Sequence, residues 1–268
     1  MRQGSEQALE RMLRSWEGVV ANQPLEANRW ADELFAVGDV LESSAALNRA
    51  VTDPSRTGES RADLAKSLFS GKVSGEVTDF VAGLARERFS VWRDFAEAVE
   101  RSAVETLLMS AHHQGRLDAV EEELYRASRT LGDERPLRRA LEERGTDKAK
   151  RIELAERVFG SWTPETVALI KHAVSTNESI IPHLRRWVSD AGRRSEHLVA
   201  IVTAAQPLDS DQEERLRSVL SHRYGKPVQI HVGVDPEIIG GLRIVIGADV
   251  IDGSLASRIN NVKSVFTD

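Results

Sequence analysis

The chain repeats itself. When its 268 residues are slid by 90 positions, residues 32–84 align with residues 122–174 without a gap. Identical pairs are Glu33/Glu123, Leu34/Leu124, Leu41/Leu131, Leu47/Leu137, Arg49/Arg139, Ala50/Ala140, Arg61/Arg151, Leu64/Leu154, Ala65/Ala155, Phe69/Phe159 and Val77/Val167. Average residue usage would produce about 3 or 4 such matches over that length. Conservative pairs such as Phe35/Tyr125 and Leu68/Val158 extend the similarity, and the same offset sets Ala8, Glu10 and Arg11 over Ala98, Glu100 and Arg101. Self-similarity at a fixed long period means a duplicated structural unit, and it limits the possible folds more than any single motif does.

The unit reads as helical. Leu9, Met12, Leu13, Trp16 and Val20 recur at spacings of three and four, which predicts an amphipathic helix over 5–21. Pro24 ends that segment, and a second helix is expected over about 25–41 with Trp30, Leu34 and Val37 inward. A short helix near 45–51 meets the turn-forming run DPSRTG at 53–58. Leu64, Leu68 and Phe69 mark a fourth helix stopped near Gly71, and Val77, Phe80, Val81 and Leu84 mark a fifth. A longer helix over about 91–113 closes the first unit and can also open the second. Thr163-Pro164 combines an N-cap with a proline at the first helical position, a start signal in copy two. The expected result is a bundle, or two fused bundles sharing a helix.

After Ser195 the period changes. Residues 198–202, LVAIV, form a short β-branched run consistent with a buried strand. Asp209 and Gln212 make a capping box for a helix whose inner face is Leu216, Val219 and Leu220, ended by Gly225. Val228, Ile230, Val232 and Val234 alternate with other residues, as on a strand with one face in the core. A further strand carries Leu242, Ile244 and Ile246 on one side. Asp252-Gly253 reads as a tight turn, and Ser254 as the cap of a last helix with Leu255, Ile259, Val262 and Phe266 on one stripe. The fold class is therefore α + α/β: an N-terminal helical bundle with a duplicated helical unit, then a small C-terminal α/β domain. The expected divisions are 1–110, 111–194 and 195–268.

Composition narrows function by exclusion. A formal net charge of −6 gives no global attraction to nucleic acid or anionic lipid. Arginines 185–186 and 193–194 are expected to line a solvated helix face. The chain has no cysteine, hence no disulfide and no thiolate metal site. Its first ten residues lack the apolar core of a signal peptide, and the longest apolar runs are far short of the ~20 residues that span a bilayer. No phosphate-binding loop is present: Gly71-Lys72-Val73 and Gly225-Lys226-Pro227 lack both spacing and hydroxyl. Gly240-Gly241 with Gly247 precedes a strand instead of opening a helix, so it reads as a bend and not a dinucleotide site. His112 and His113 are adjacent and face apart, and His231 has no ligand partner at metal spacing. Glu121-Glu122-Glu123 suits a solvated helix start. No metal, cofactor or catalytic residue is expected.

Residues 228–247, VQIHVGVDPEIIGGLRIVIG, carry a resemblance to the delta subunit of F-type ATP synthases, a family related to the mitochondrial oligomycin-sensitivity-conferring protein. The matching elements are Val234, Asp235, Ile238, Gly240, Gly241, Leu242, Ile244 and Gly247, continued by Asp252, Gly253 and Ser254. Val245 departs from the pattern, which usually has a charged or polar residue there, and leaves the facing of that strand open. Residues 31–37, 47–58 and 69–73 are similar to the first bundle of the long, actinobacterial-type members.

The resemblance implies a non-catalytic stator subunit that links the catalytic head to the peripheral stalk for proton-driven ATP synthesis. Its implied partners are the N-terminal helix of the alpha subunit, lying on the first bundle, and the b subunit, meeting the C-terminal domain. The implied location is the cytoplasmic face of the plasma membrane, with membrane association only through the complex and no nucleic acid bound. On that basis the first and fifth helices supply a groove for the alpha helix, with Leu9, Met12, Leu13, Trp16, Val77, Phe80 and Leu84 as candidate contacts. The alternative for each of these residues is core filling. Two other classes fit the residues as well: a helical adaptor unconnected with ATP synthase, and an enzyme with a ligand pocket in the α/β domain.

Overall fold

The computed structural model describes residues 1–176, 178–195, 198–236, 238, 240–246 and 249–252. Six helices build the first unit: α1 (Gln3–Asn22), α2 (Ala27–Ser43), α3 (Ala45–Val51), α4 (Gly58–Phe69), α5 (Gly75–Arg86) and α6 (Arg93–His113). Local chemistry sets their ends. Ser44, Thr57 and Ser74 each cap the following helix, accepting from the amides of Leu47, Ser60 and Val77. The second unit follows as α7 (Leu117–Asp133), α8 (Arg135–Glu142), α9 (Lys148–Phe159), α10 (Pro164–Ser175) and α11 (Ile180–Arg194). Thr163 caps α10 by accepting from the Thr166 amide, with Pro164 at its first position, as the sequence predicts.

The duplication is visible in three dimensions. The ninety-residue register holds from α2/α7 through α4/α9 and shortens by one at the fifth helix, where Ser74 and Thr163 hold the same N-cap. Val77 therefore corresponds to Thr166, and the identity Val77/Val167 is not a structural equivalence. The paired glutamates act alike. Glu33 accepts from the amide (2.9 Å) and hydroxyl (2.6 Å) of Ser74, and Glu123 from the amide (3.0 Å) and hydroxyl (2.6 Å) of Thr163. Each ties its second helix to the cap of its fifth. The paired arginines do likewise. Arg61 Nε donates to the Ala85 carbonyl at 2.8 Å, and Arg151 Nη1 to the corresponding Val174 carbonyl at 2.9 Å. Both guanidiniums are buried, where they satisfy the carbonyls that a helix C-terminus leaves without partners.

Helix α6 belongs to both units. It packs against α1 and α2, and also against α10 and α11. One buried apolar cluster runs from Leu9 to Val199, with Trp30, Phe95, Leu107 and Leu108 fully enclosed. The two helical units thus share a continuous core. Each large side chain so enclosed contributes roughly 1.5–3 kcal/mol over leaving it in water.

A four-stranded sheet follows, ordered β2-β1-β3-β4: β1 (Leu198–Ala204), β2 (Val228–Val234), β3 (Leu242–Ile246) and β4 (Asp249–Asp252). β1 and β2 run parallel across α12 (Ser210–Tyr224), which starts with the predicted Asp209–Gln212 capping box and ends at Gly225 with φ 66°. β3 lies antiparallel to β1, and β4 to β3. Ala200, Val202, Leu220, Val228, Ile244 and Ile246 form a second core beneath α12. The opposite face is covered too: Val199 joins the helical core and Ile201 packs against it. Val245 stands opposite Ile201, on this same face. The tight turn and last helix expected after Asp252 lie outside the described residues.

Candidate partner-binding faces

The seven candidate contacts for an alpha-subunit helix fall on α1 and α5, which pack against each other. Five of them, Leu9, Trp16, Val77, Phe80 and Leu84, are buried inside the first unit. Trp16 Nε1 donates to Thr106 Oγ1 at 2.8 Å, and its ring lies 4.7 Å from Phe80 and 5.3 Å from Trp30. Met12 and Leu13 are half-buried at the outer edge of that core. At Gly83 of α5 an added Cβ would stand 2.5 Å from Met12 Cε of α1. The glycine leaves room for the thioether to cross from α1 to α5. A flexible, polarisable side chain at that seam can re-pack under an incoming apolar residue.

The C-terminal signature builds a chain reversal. The Asp235 amide donates to the Ala204 carbonyl at 2.8 Å, extending the β1–β2 ladder past Val234. The Ile238 amide returns to Asp235 and that of Gly240 to Ile238. Gly240 (φ 66°) and Gly241 (φ 82°) both occupy the left-handed region, which favours residues without a Cβ. The chain then runs into β3 antiparallel, with Ile244 buried and Leu242 half-buried. Asp252 ends β4 opposite Arg243. Gly247, Gly253 and Ser254 lie outside the described residues.

Several important residues escape sequence reasoning. Glu121 and Glu123 are buried, not solvated. Glu123 makes the helix tie described above, whereas Glu121 faces β2. His231 Nε2 lies 2.8 Å from Glu121 Oε1 and its Nδ1 lies 3.2 Å from Glu122 Oε2. The Tyr125 ring stacks on His231 at 4.3 Å, and Arg129 Nη1 donates to the Val232 carbonyl at 3.1 Å. A Cβ on Gly233 would stand 3.3 Å from Arg129 Nη1, so this glycine admits the guanidinium to the strand backbone. β2 thus has both faces covered, contrary to a single buried face. Residues 121, 122, 125 and 129 form one polar stripe at helical spacing, the only signal the sequence offers for this dock. Arg194, assigned by sequence to a solvated face, instead joins Glu17 (2.6 Å) and Glu105 (2.9 Å), clasping α11 to α1 and α6.

The same device joins the two bundles. Phe35, the counterpart of Tyr125, stacks on His172 of α10 at 3.7 Å. His172 Nε2 lies 2.9 Å from Glu100 Oε1. Burial pushes the Glu100 carboxyl up, but the His172 hydrogen bond and charge outweigh it and hold the group below the usual glutamate range. A cleft of about 490 Å³ opens beside this contact, lined by Gly38, Glu42 and His183 among others. Glu42 there is held above its ordinary value by burial and by the neighbouring carboxylates Glu100, Asp39 and Glu178. Among the described residues no cluster of three or more histidine, aspartate or glutamate side chains is arranged to hold a metal ion.

A sequence model of the ATP synthase delta (OSCP) subunit matches the chain twice, over residues 19–106 and over residues 99–266. The chain belongs to this family. The two matches overlap only at 99–106, inside α6, the helix that both units use. The "ATP synthase subunit delta" of Beutenbergia cavernae is 40% identical over 266 residues, covering 98% of each chain. That of Kineococcus radiotolerans is 39% identical over 241 residues, covering 89% of this chain and 87% of the relative. That of Nocardia farcinica is 39% identical over 233 residues, covering 86% and 87%. As a delta-family member the chain is a non-catalytic subunit, and its helical share and small mixed sheet agree with the fold expected of it.

Proposed function

We propose that this delta-family chain is the stator subunit that ties the catalytic head of an F-type ATP synthase to its peripheral stalk. The double family match is the observation that carries this reading. On it, the chain is organised as units 1–110, 111–194 and 195–268. The N-terminal helix of the alpha subunit lies along the α1/α5 seam, touching Met12 and Leu13. Leu9, Trp16, Val77, Phe80 and Leu84 form the rigid floor below them. The b subunit meets the α/β unit, where Val219, Val234 and Val250 are exposed. The subunit sits on the cytoplasmic side of the plasma membrane through its partners. No helix among the described residues is long and apolar enough to cross a membrane.

Trp16→Ala is a poor probe of the seam, because emptying a buried tryptophan site costs about 3–5 kcal/mol of fold stability. The variant to titrate is Met12→Glu/Leu13→Glu, against an alpha-subunit N-terminal peptide. Burying a carboxylate at the seam should weaken binding at least about tenfold with the melting temperature little changed. Unchanged affinity removes this face from the contact.

A further inference from the structure

A basic groove marks the second unit, at positions that are mostly uncharged in the first. It is a concavity of about 1260 Å³ beside α8 and α9, lined by Arg135, Arg138, Arg139, Arg144 and Lys150. At the ninety-residue offset these positions are Ala45, Asn48, Arg49, Pro54 and Ser60. Even the shared arginine is used differently. Arg49 lies over the Trp92 ring at 5.3 Å, whereas Arg139 has no such ring partner among the described residues.

Arg135, Arg138, Arg139 and Lys150 form no ion pair among the described residues, unlike Arg11, Arg86, Arg101 and Arg194 elsewhere. The two glutamates that share the lining accept hydrogen bonds from backbone amides. Glu142 Oε1 accepts from the Ile180 amide at 2.9 Å, and Glu143 Oε1 from the Gly145 amide at 3.2 Å. At the base lies Arg151, only 7% exposed, whose Nε is buried with no hydrogen-bond partner. Its counterpart Arg61 uses Nε on the Ala85 carbonyl. An unmatched buried donor beneath unpaired guanidiniums is a site short of acceptors.

We propose that this groove binds an acidic polypeptide segment, its carboxylates meeting Arg135, Arg138, Arg139 and Lys150. Guanidinium forks match carboxylates in bidentate fashion. The concavity selects a chain over a bilayer, because a peptide can enter it while a flat membrane meets only its rim. The groove and the α1/α5 seam lie on different bundles, so neither assignment depends on the other.

The test is fluorescence anisotropy of a labelled oligoglutamate peptide titrated with the full chain at low salt. Binding should weaken about tenfold or more in R135Q/R138Q/R139Q and less than about twofold in R14Q/R88Q/R215Q, a control with the same net charge. Equal weakening in both variants, or no binding by the unmodified chain, overturns the proposal. So does groove-dependent binding to phosphatidylglycerol vesicles or to single-stranded RNA without binding of the peptide. If the triple variant melts early, Lys150→Glu alone serves as the groove variant, and unchanged affinity there overturns the proposal equally.

Discussion

Arg61 and Arg151 occupy the same place in two copies of one helical unit, yet they end differently. Arg61 donates to the carbonyls of Asp53, Arg56, Ala85, Arg86 and Glu87, closing the turn before α4 onto the end of α5. Among the described residues Arg151 donates only to the carbonyls of Leu141 and Val174. The first unit is stapled shut at this corner, and the second is open and basic. What the copies share is interior: the glutamate ties to the fifth-helix caps, the buried Phe69 and Phe159, and the arginine itself. What separates them is the surface, where charge could be added at α8 without disturbing the packing beneath.

The largest expected effect falls on that corner. Arg61→Met should cost about 3–5 kcal/mol in urea denaturation, since it frees several buried carbonyls at once, and Arg151→Met only about 1–2 kcal/mol. Equal losses would erase the distinction between a closed and an open corner.

A smaller effect should appear where the second unit carries the sheet. α7 presents Glu121, Tyr125 and Arg129 to β2, whereas the matching positions on α2 are Ala31, Phe35 and Asp39. The buried Glu121–His231 pair fixes where β2 sits more than it adds net stability, because desolvation offsets much of the attraction. His231→Ala should therefore loosen the dock, at a cost of about 1–3 kcal/mol, and speed hydrogen exchange in β2. It should leave the α1/α5 seam as protected from hydrogen exchange as before. Simultaneous loss of protection in both places would show that the units are not separable.

The smallest effect concerns pH. Glu100 has a lowered carboxyl pKa in the folded state, so its stabilising contribution is present above the unfolded value of about 4.3 and is lost as pH falls through the folded one. The stability advantage of the unmodified chain over Glu100→Gln should accordingly shrink as the pH is lowered from 6 toward 3. Parallel stability curves over that interval would show that the His172 contact between the bundles is not coupled to this carboxylate.

Most of the helices were legible because their signals are local. The stripe Leu9–Met12–Leu13–Trp16–Val20, the caps at Thr163 and Asp209, and Gly225 after α12 each act within a few residues, and each appears where expected. The duplication was legible too, since equal cores require similar residues at equal spacing. The one-residue contraction before α10 was not, because a gapless offset accepts Val77/Val167 on identity alone. Among the candidate contacts, periodicity could bring Trp16 and Phe80 to one stripe, but a stripe looks the same whether its cover is a neighbouring helix or another protein.

By itself, then, the amino-acid order determined the helices and strands, the repeated architecture and the family. The tertiary structure alone decided that Trp16 donates to Thr106, that Glu121 reaches His231 across 110 positions, and that Arg194 closes onto α1 and α6. Periodicity and capping are near-neighbour effects written in consecutive residues. A buried polar contact between distant segments depends on how whole elements dock, and no local pattern names the partner.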